Sequence, residues 1–336
     1  MRRSPLRRLA GLAALTSALS ATFAANASDC RPGNGVSPCL DANALWLTTG
    51  DARFFSLPSG RVLGAGHVGL AFAASAAWRP LWLNVPSSNA DGRDVELVER
   101  RVEEETLLAV GLGKSLELGL ALPVVLHQSG SGSQGITSQN GAALDGTGER
   151  DPRVGLSLGL HFGALRLKPR IGVALPLGST DAYASAGAFT FAPAVPLAFR
   201  HGRFEHAVEL GLRLRPSVEI GGVRVGSEAT LAGGSSYAIL RNELLVLCAE
   251  IFFLPSLVDN QAAKAKSFEA NSTLLAAEYL ISVRSRPSVH DPVTIALGAG
   301  SALALSRQSS PAGDERFVAP GGPAFRLLAE VRYAPE

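Results

Sequence analysis

Apolar residues recur at every second position in segment after segment of this chain, and that period constrains its fold more than any other feature. In 153–162, Val154, Leu156, Leu158, Leu160 and Phe162 alternate with Arg153, Gly155, Ser157, Gly159 and His161. In 165–177, Leu165, Leu167, Ile171, Val173, Leu175 and Leu177 alternate with Arg166, Lys168, Arg170, Gly172 and Ala174. Residues 204–215 set Val208, Leu210, Leu212 and Leu214 against Glu205, Glu209, Gly211, Arg213 and Arg215. Residues 325–333 set Phe325, Leu327, Ala329, Val331 and Tyr333 against Arg326, Leu328, Glu330 and Arg332. Successive side chains of a strand point to opposite faces, so each segment forms a strand with one oily and one polar or small face.

Strand length and the order of connections separate a membrane barrel from a soluble sheet. The pattern divides into twelve strands near 66–85, 94–113, 115–127, 152–163, 165–177, 187–199, 203–215, 226–238, 240–253, 272–284, 291–303 and 322–333. Many are long enough for a tilted strand to cross a hydrocarbon layer. Short connections alternate with long ones, the asymmetry of an outer-membrane barrel with periplasmic turns and external loops. The predicted fold is therefore all-β: an antiparallel transmembrane outer-membrane β-barrel of 12 strands. A mean hydropathy of +0.19 fits apolar residues dispersed over strands rather than concentrated in helices. Residues 182–199 form the strongest helical-span candidate, but Pro193 and Pro196 interrupt them. A soluble secreted β-sandwich binding module is the competing fold.

The first 27 residues read as a secretory signal peptide: a basic start, an apolar stretch from Leu9 to Ala25, and Ala25-Asn26-Ala27 as a small-x-small cleavage site. Residues 28–65 then form a periplasmic N-terminal extension ahead of a barrel spanning 66–336. Cys30 and Cys39 are a disulfide candidate, because the proline- and glycine-containing stretch between them suits a small loop in an oxidising compartment and two cysteines do not make a zinc site. Ala44, Trp46 and Leu47 are expected to form a short plug or contact against the barrel end.

Closure pairs the last strand with the first and turns the polar faces inward. The expected lumen residues are Glu117, Arg153, Arg166, Lys168, Arg170, Glu205, Glu209, Arg213, Arg215, Glu278, Arg284, Arg326, Glu330 and Arg332. Two readings stay open for them: ion pairs that satisfy one another across a filled barrel, or a pore lining whose surplus of basic side chains favours anions. Trp78, Trp82, Tyr279, Phe325 and Tyr333 are the interface or lipid-face aromatics.

The chemistry of an enzyme is not evident. The six histidines stand in no nucleophile motif or metal-ligand spacing, and GLGKS at 111–115 lacks the leading glycine of a phosphate loop and sits in a hairpin turn. No catalytic, cofactor-binding or metal residue is assigned. With 31 basic against 29 acidic residues there is no broad positive field for nucleic acid. The expected function is a structural barrel or a passive small-solute channel with a charged lumen, and an outer-membrane lipolytic enzyme is the alternative. The partners implied are outer-membrane lipid, small solutes and the barrel-assembly machinery.

Several segments together carry a family resemblance: the start at 54–83, LLAVGLGKSLELGLALPVVLHQSG at 107–130, DPRVGLSLGL at 151–160, RIGVALPLGST at 170–180 and GGPAFRLLAEVRYAPE at 321–336. In these the chain resembles the outer-membrane β-barrel domain of myxobacterial OmpA-family-like proteins. The glycine-rich ending of that group is matched by Gly322, Pro323, Phe325, Arg326, Tyr333 and Pro335, while Glu330 stands near a commonly small position. The resemblance implies an envelope barrel. The peptidoglycan-binding domain that some members carry is absent after Glu336, and Tyr333 stands three residues short of the terminal aromatic position used by many such barrels.

Overall fold

The computed structural model describes residue 30 and residues 37–85, 93–135, 142–220, 223–258, 275–288, 291–303 and 322–335. The signal segment and the tips of several long loops lie outside the described residues. Twelve antiparallel strands close into one barrel. They are β1 (Val68–Val85), β2 (Arg93–Gly111), β3 (Leu116–Ser129), β4 (Arg153–Leu158, continued by Leu160–Phe162), β5 (Leu165–Leu167 and Arg170–Ala174) and β6 (Thr190–His201). The circuit continues with β7 (Phe204–Arg213), β8 (Glu228–Ala238), β9 (Leu245–Pro255), β10 (Leu275–Ser285), β11 (Val293–Ala302) and β12 (Phe325–Tyr333). Closure is made by β12 against β1, from Leu70 opposite Tyr333 to Trp78 opposite Phe325. Among the described residues, each of the twelve wall strands is paired on both sides, as a hydrocarbon surrounding requires.

Both ends of the barrel chain, Val68 and Tyr333, lie at the end where the connections are short, here the turn end. The opposite, loop end carries the long connections, and a small hairpin of Val218–Ile220 with Val223–Val225 forms within one of them. At 18 and 19 residues, β1 and β2 are nearly twice the length a bilayer demands, so their hairpin projects past the wall at the loop end. A register shift between Trp78 and Leu81 bends it, with Arg79 at φ 52°.

The outer face is apolar all round. Val208, Leu210, Ile281, Leu297 and Val331 are exposed, with Leu210 and Leu297 both at 63%. A continuous band of this kind on a closed barrel is a lipid-facing surface, not a soluble one. Tyr279, Phe325 and Tyr333 are exposed on the same face, and Trp78 packs 5.5 Å from Phe325 across the closing seam. Among the described residues no helix is long and apolar enough to cross a membrane.

The inside of the barrel is not empty, and here the structure corrects the expected domain layout. Residues 37–64, taken from sequence as a periplasmic extension, thread the lumen as a strap. Leu40, Phe54, Phe55, Leu57 and Leu63 are buried to 2% or less. Leu45, Leu47 and Phe55 share one core with Ala71, Ala73, Leu107, Phe252, Leu280 and Leu328 of the wall. Phe54 and Leu57 share another with Ala198, Ala207, Val246 and Cys248. The physical reason is apolar area: each buried Leu or Phe side chain contributes roughly 1.5–3 kcal/mol, which a strap left in water would forgo. The contact expected from Ala44, Trp46 and Leu47 alone is therefore one part of a much longer insertion.

Candidate functional site: the strapped lumen

Small residues on the inner wall make the space the strap occupies. A Cβ added at Gly234 would stand 2.9 Å from Phe54, and one at Gly298 would stand 2.6 Å from Phe55. At Gly119 it would stand 2.4 Å from the Thr49 hydroxyl. These positions are occupied by glycine because the strap passes where a side chain would be.

From the loop end the strap descends, turns near the opposite end, climbs to Phe55 and Ser56 beside Glu250 and comes back to the turn end, where it joins β1. Cys30 and Cys39, joined as a disulfide, sit at the loop end against Gly187. Asp41 bridges to Ala184, and Ala42 donates to the carbonyl of Tyr183 at 2.9 Å. Burial pushes the Tyr183 phenol up to about 12, against an opposing hydrogen bond from Ser133, so this ring lies neutral over the strap. Asp51 and Arg53 reach the turn end, where Thr48 donates to the Phe55 carbonyl at 2.9 Å and reverses the chain. Leu63 then meets Glu117, and Gly66 pairs with Gly111 beside the start of β1.

All fourteen expected lumen residues belong to the inward set, opposite the exposed apolar side chains. Glu117, Arg153, Lys168, Glu205, Glu209, Glu278, Arg284, Arg326, Glu330 and Arg332 are buried, and Arg166, Arg170, Arg213 and Arg215 are half-buried. Some pair across the wall. Lys168 meets Glu117 at 2.8 Å, Arg170 holds Glu209 through both oxygens at 2.8 and 2.7 Å, and Arg326 meets Glu278 at 2.6 Å. Glu330 receives both Arg284 at 3.0 Å and Arg332 at 2.8 Å, and Arg215 meets Glu228 at 3.0 Å. Arg166 lies 3.8 Å from Glu205.

Other guanidinium donors reach the strap, while Arg153 Nη1, Arg166 Nη1, Arg284 Nε and Nη2 and Arg326 Nη1 are buried without a hydrogen-bond partner. Arg332 donates to the carbonyls of Thr48 at 2.9 Å and of Gly50, and Arg213 to that of Ala44 at 2.8 Å. Arg326 donates to Asn43 Oδ1 at 3.0 Å, and Arg284 to the Ala52 carbonyl at 3.4 Å. Carboxylates do the converse: Glu117 accepts from the Leu63 amide at 2.9 Å. The wall charges are thus paired among themselves and with the polar backbone of the strap.

Charged residues beyond the expected fourteen complete the site. Arg101, Glu103 and Glu105 on β2 are buried at the loop side, where Arg150 links Asp41 at 2.7 Å to Glu103 at 3.3 Å. Asn43 donates to Glu103, and Arg153 pairs with Glu105. Glu250 on β9 accepts three hydrogen bonds from the strap, from the Phe55 amide at 2.7 Å, the Ser56 amide at 2.9 Å and the Ser56 hydroxyl at 2.8 Å. At the turn end, Glu243 in the β8–β9 connection takes Arg53 of the strap at 2.6 Å together with Arg200. Burial alone would raise the Glu243 carboxyl, but Arg53, Arg200 and Arg286 outweigh it and hold it below the ordinary value of 4.5.

A cavity of about 110 Å³ remains between the strap and the β3–β8 wall, and one of about 40 Å³ lies toward the loop end. Both are lined by Ala44, Trp46, Arg153 and Arg213. A third, also of about 40 Å³, lies at the turn end around Asp51, Arg53, Glu205 and Arg332. Among the described residues no group of three His, Cys, Asp or Glu side chains is placed to hold a metal ion.

No family model matches the chain, and no curated protein matches it. Solved structures do. The COG4313 outer membrane channel from Pseudomonas putida F1 superposes with a TM-score of 0.55 at 11% identity, over 81% of this chain and 96% of the other. This protein has the fold of an outer-membrane β-barrel. A KdgM porin covers 80% of the chain and 99% of its own at 8% identity, with a TM-score of 0.44.

Proposed function

We propose that this barrel is an outer-membrane channel for small solutes whose lumen is narrowed by its own N-terminal strap, and that residues 1–27 direct its export. The observation that carries this reading is the way the strap is held. Among the described residues, no backbone-to-backbone hydrogen bond joins strap residues 43–63 to a barrel strand. Side chains of the wall hold the strap instead, so it is an occupant of a finished cylinder and not a thirteenth strand. Removing it breaks no strand pairing. The lumen it would leave is lined by side chains of both signs with basic groups prominent, a lining that favours small anions once wet. The cylinder is of intermediate width, which suits small solutes. Kinship with OmpA-family-like barrels is part of the same proposal and is supported by the ending from Gly322 to Pro335, which includes β12.

A tether tests it. A Cβ at Gly119 would stand 3.1 Å from the Thr49 Cβ, so Thr49→Cys with Gly119→Cys needs a shift of a few tenths of an ångström to form a disulfide. The purified mature chain, with heat-modifiable migration confirming its fold, is placed in a planar bilayer. Stepwise conductance that rises when the tether is reduced, with the untethered protein unaffected by the same reductant, is the expected result. Absence of conductance from the folded, reduced protein would reject the channel, and equal conductance before and after reduction would reject the strap as its restriction.

A further inference from the structure

The cavity of about 110 Å³ is the roomiest of the three between strap and wall. Its cationic lining is Arg153, Lys168, Arg170 and Arg213. Three of these have carboxylate partners: Arg153 with Glu105, Lys168 with Glu117, and Arg170 with Glu209. For Arg213 no carboxylate of the described residues lies within ion-pair distance, and its one hydrogen bond goes to the Ala44 carbonyl. Four cations against three carboxylates leave one positive charge in excess.

Trp46 of the strap organises this charge. Two guanidiniums stand over its indole, Arg213 4.2 Å and Arg153 4.8 Å from the ring centroid. Cation–π attraction helps hold both in place. Arg153, nine-tenths buried, keeps its Nη1 without any hydrogen-bond partner. A buried donor left unsatisfied costs about 1–3 kcal/mol, more when charged, so an occupant that accepts from it is favoured. A water needs roughly 10–15 Å³, and the cavity therefore has room for several waters or for a small anion together with a short apolar tail. Apolar lining for that tail is present in Leu47, Ala121 and Phe252.

We propose that this cavity is a binding site for a small carboxylate, its oxygens taken by Arg213 and Arg153 and its hydrocarbon placed against Trp46 and Phe252. Trp46, with Ala44, Arg153 and Arg213, lines both this cavity and the one toward the loop end. The inference deepens the channel reading by naming the class of solute, but binding does not require conduction, so the two fail separately.

The test uses the full mature chain in detergent at constant ionic strength, with Trp78→Phe and Trp82→Phe leaving Trp46 as the only indole. Propionate is the probe and propionamide, its neutral analogue, the control. Saturable change of Trp46 fluorescence with propionate and none with propionamide is expected. Arg213→Gln should weaken the propionate response at least tenfold, while Arg79→Gln, on the projecting hairpin, should leave it unchanged. A response to both probes alike, or to neither, would overturn the proposal in the unsubstituted lumen, whether or not Arg213→Gln folds. A propionate response unaltered in a folded Arg213→Gln protein would overturn the assignment of the site. Binding in a barrel that never conducts would leave the site standing and reject the channel.

Discussion

Replacing Glu250 by alanine should release the strap while sparing the wall. Glu250 holds the Phe55 and Ser56 amides and the Ser56 hydroxyl from β9, and no strand pairing depends on its side chain. In Glu250→Ala both amides lose their acceptor at a point where Phe55 is fully buried. At about 1–3 kcal/mol for each unsatisfied amide, strap docking weakens by about 2–6 kcal/mol. Each 1.4 kcal/mol is about a factor of ten, so the undocked fraction rises by about 30-fold at the low end and about 10⁴-fold at the high end. Water entering the vacated volume would satisfy the amides in part and favours the low end. The assay is hydrogen exchange in peptides covering 44–64, with exchange in β10 to β12 as the internal reference. Glu250→Gln, which keeps one carbonyl acceptor, should fall between alanine and the parent. Parent-like protection of Phe55 and Ser56 in a folded Glu250→Ala barrel would refute the view that wall side chains hold the strap.

Four further outcomes follow from the same geometry. Gly298→Leu places a side chain where Phe55 sits and should raise both strap exchange and bilayer conductance without preventing barrel closure. Phe55→Ala removes a fully buried ring, and by the usual cost of about 3–5 kcal/mol for such a truncation it should raise strap exchange as strongly as Glu250→Ala. Glu243 has a lowered pKa, so the anchorage it gives Arg53 is fully present above 4.5 and is lost as pH falls through its lower folded value; Glu243→Gln should weaken anchorage at neutral pH and flatten that acid loss, read by strap proteolysis against pH. Leu297→Arg, on the lipid face midway along β11, should destabilise the wall by about 2–4 kcal/mol in vesicle unfolding.

The wall was legible in the sequence because its signal is local. Period-two alternation in 153–162, 204–215 and 325–333 depends only on which face meets lipid, and each of those segments is a strand with its apolar residues outward. The signal fails where both faces carry charge. In β2, Arg101, Glu103 and Glu105 point inward, but Arg100 and Glu104 alternate with them, so no oily face marks which set is internal. Glu250 reads in sequence only as an interruption of an apolar run. The strap is the harder case, because residues 43–63 pack against many strands in turn and share a period with none of them. Two traces of it are present all the same: Phe54-Phe55 is too apolar for a segment without a partner, and Gly119, Gly234 and Gly298 stand where an open lumen would place polar side chains. Each trace gains meaning only when the strand faces and the strap are considered together.

The inward arginines explain why strap and wall belong to one design. Without an occupant, Arg213, Arg284, Arg326 and Arg332 would face water, which solvates them well. With the lumen filled by apolar side chains such as Phe54 and Phe55, those same cations would be desolvated at a cost their few carboxylates do not offset. The strap answers this with backbone carbonyls at Ala44, Thr48, Gly50 and Ala52, each placed against a guanidinium. A carbonyl carries no charge, so it solvates an arginine without cancelling it. On leaving, the strap would free donors at Arg213, Arg284 and Arg332 together with the carboxylates of Glu117 and Glu250. On the proposed channel reading, occlusion and anion preference would be two states of one set of side chains, and a variant that removes Arg332 or Arg213 should alter both.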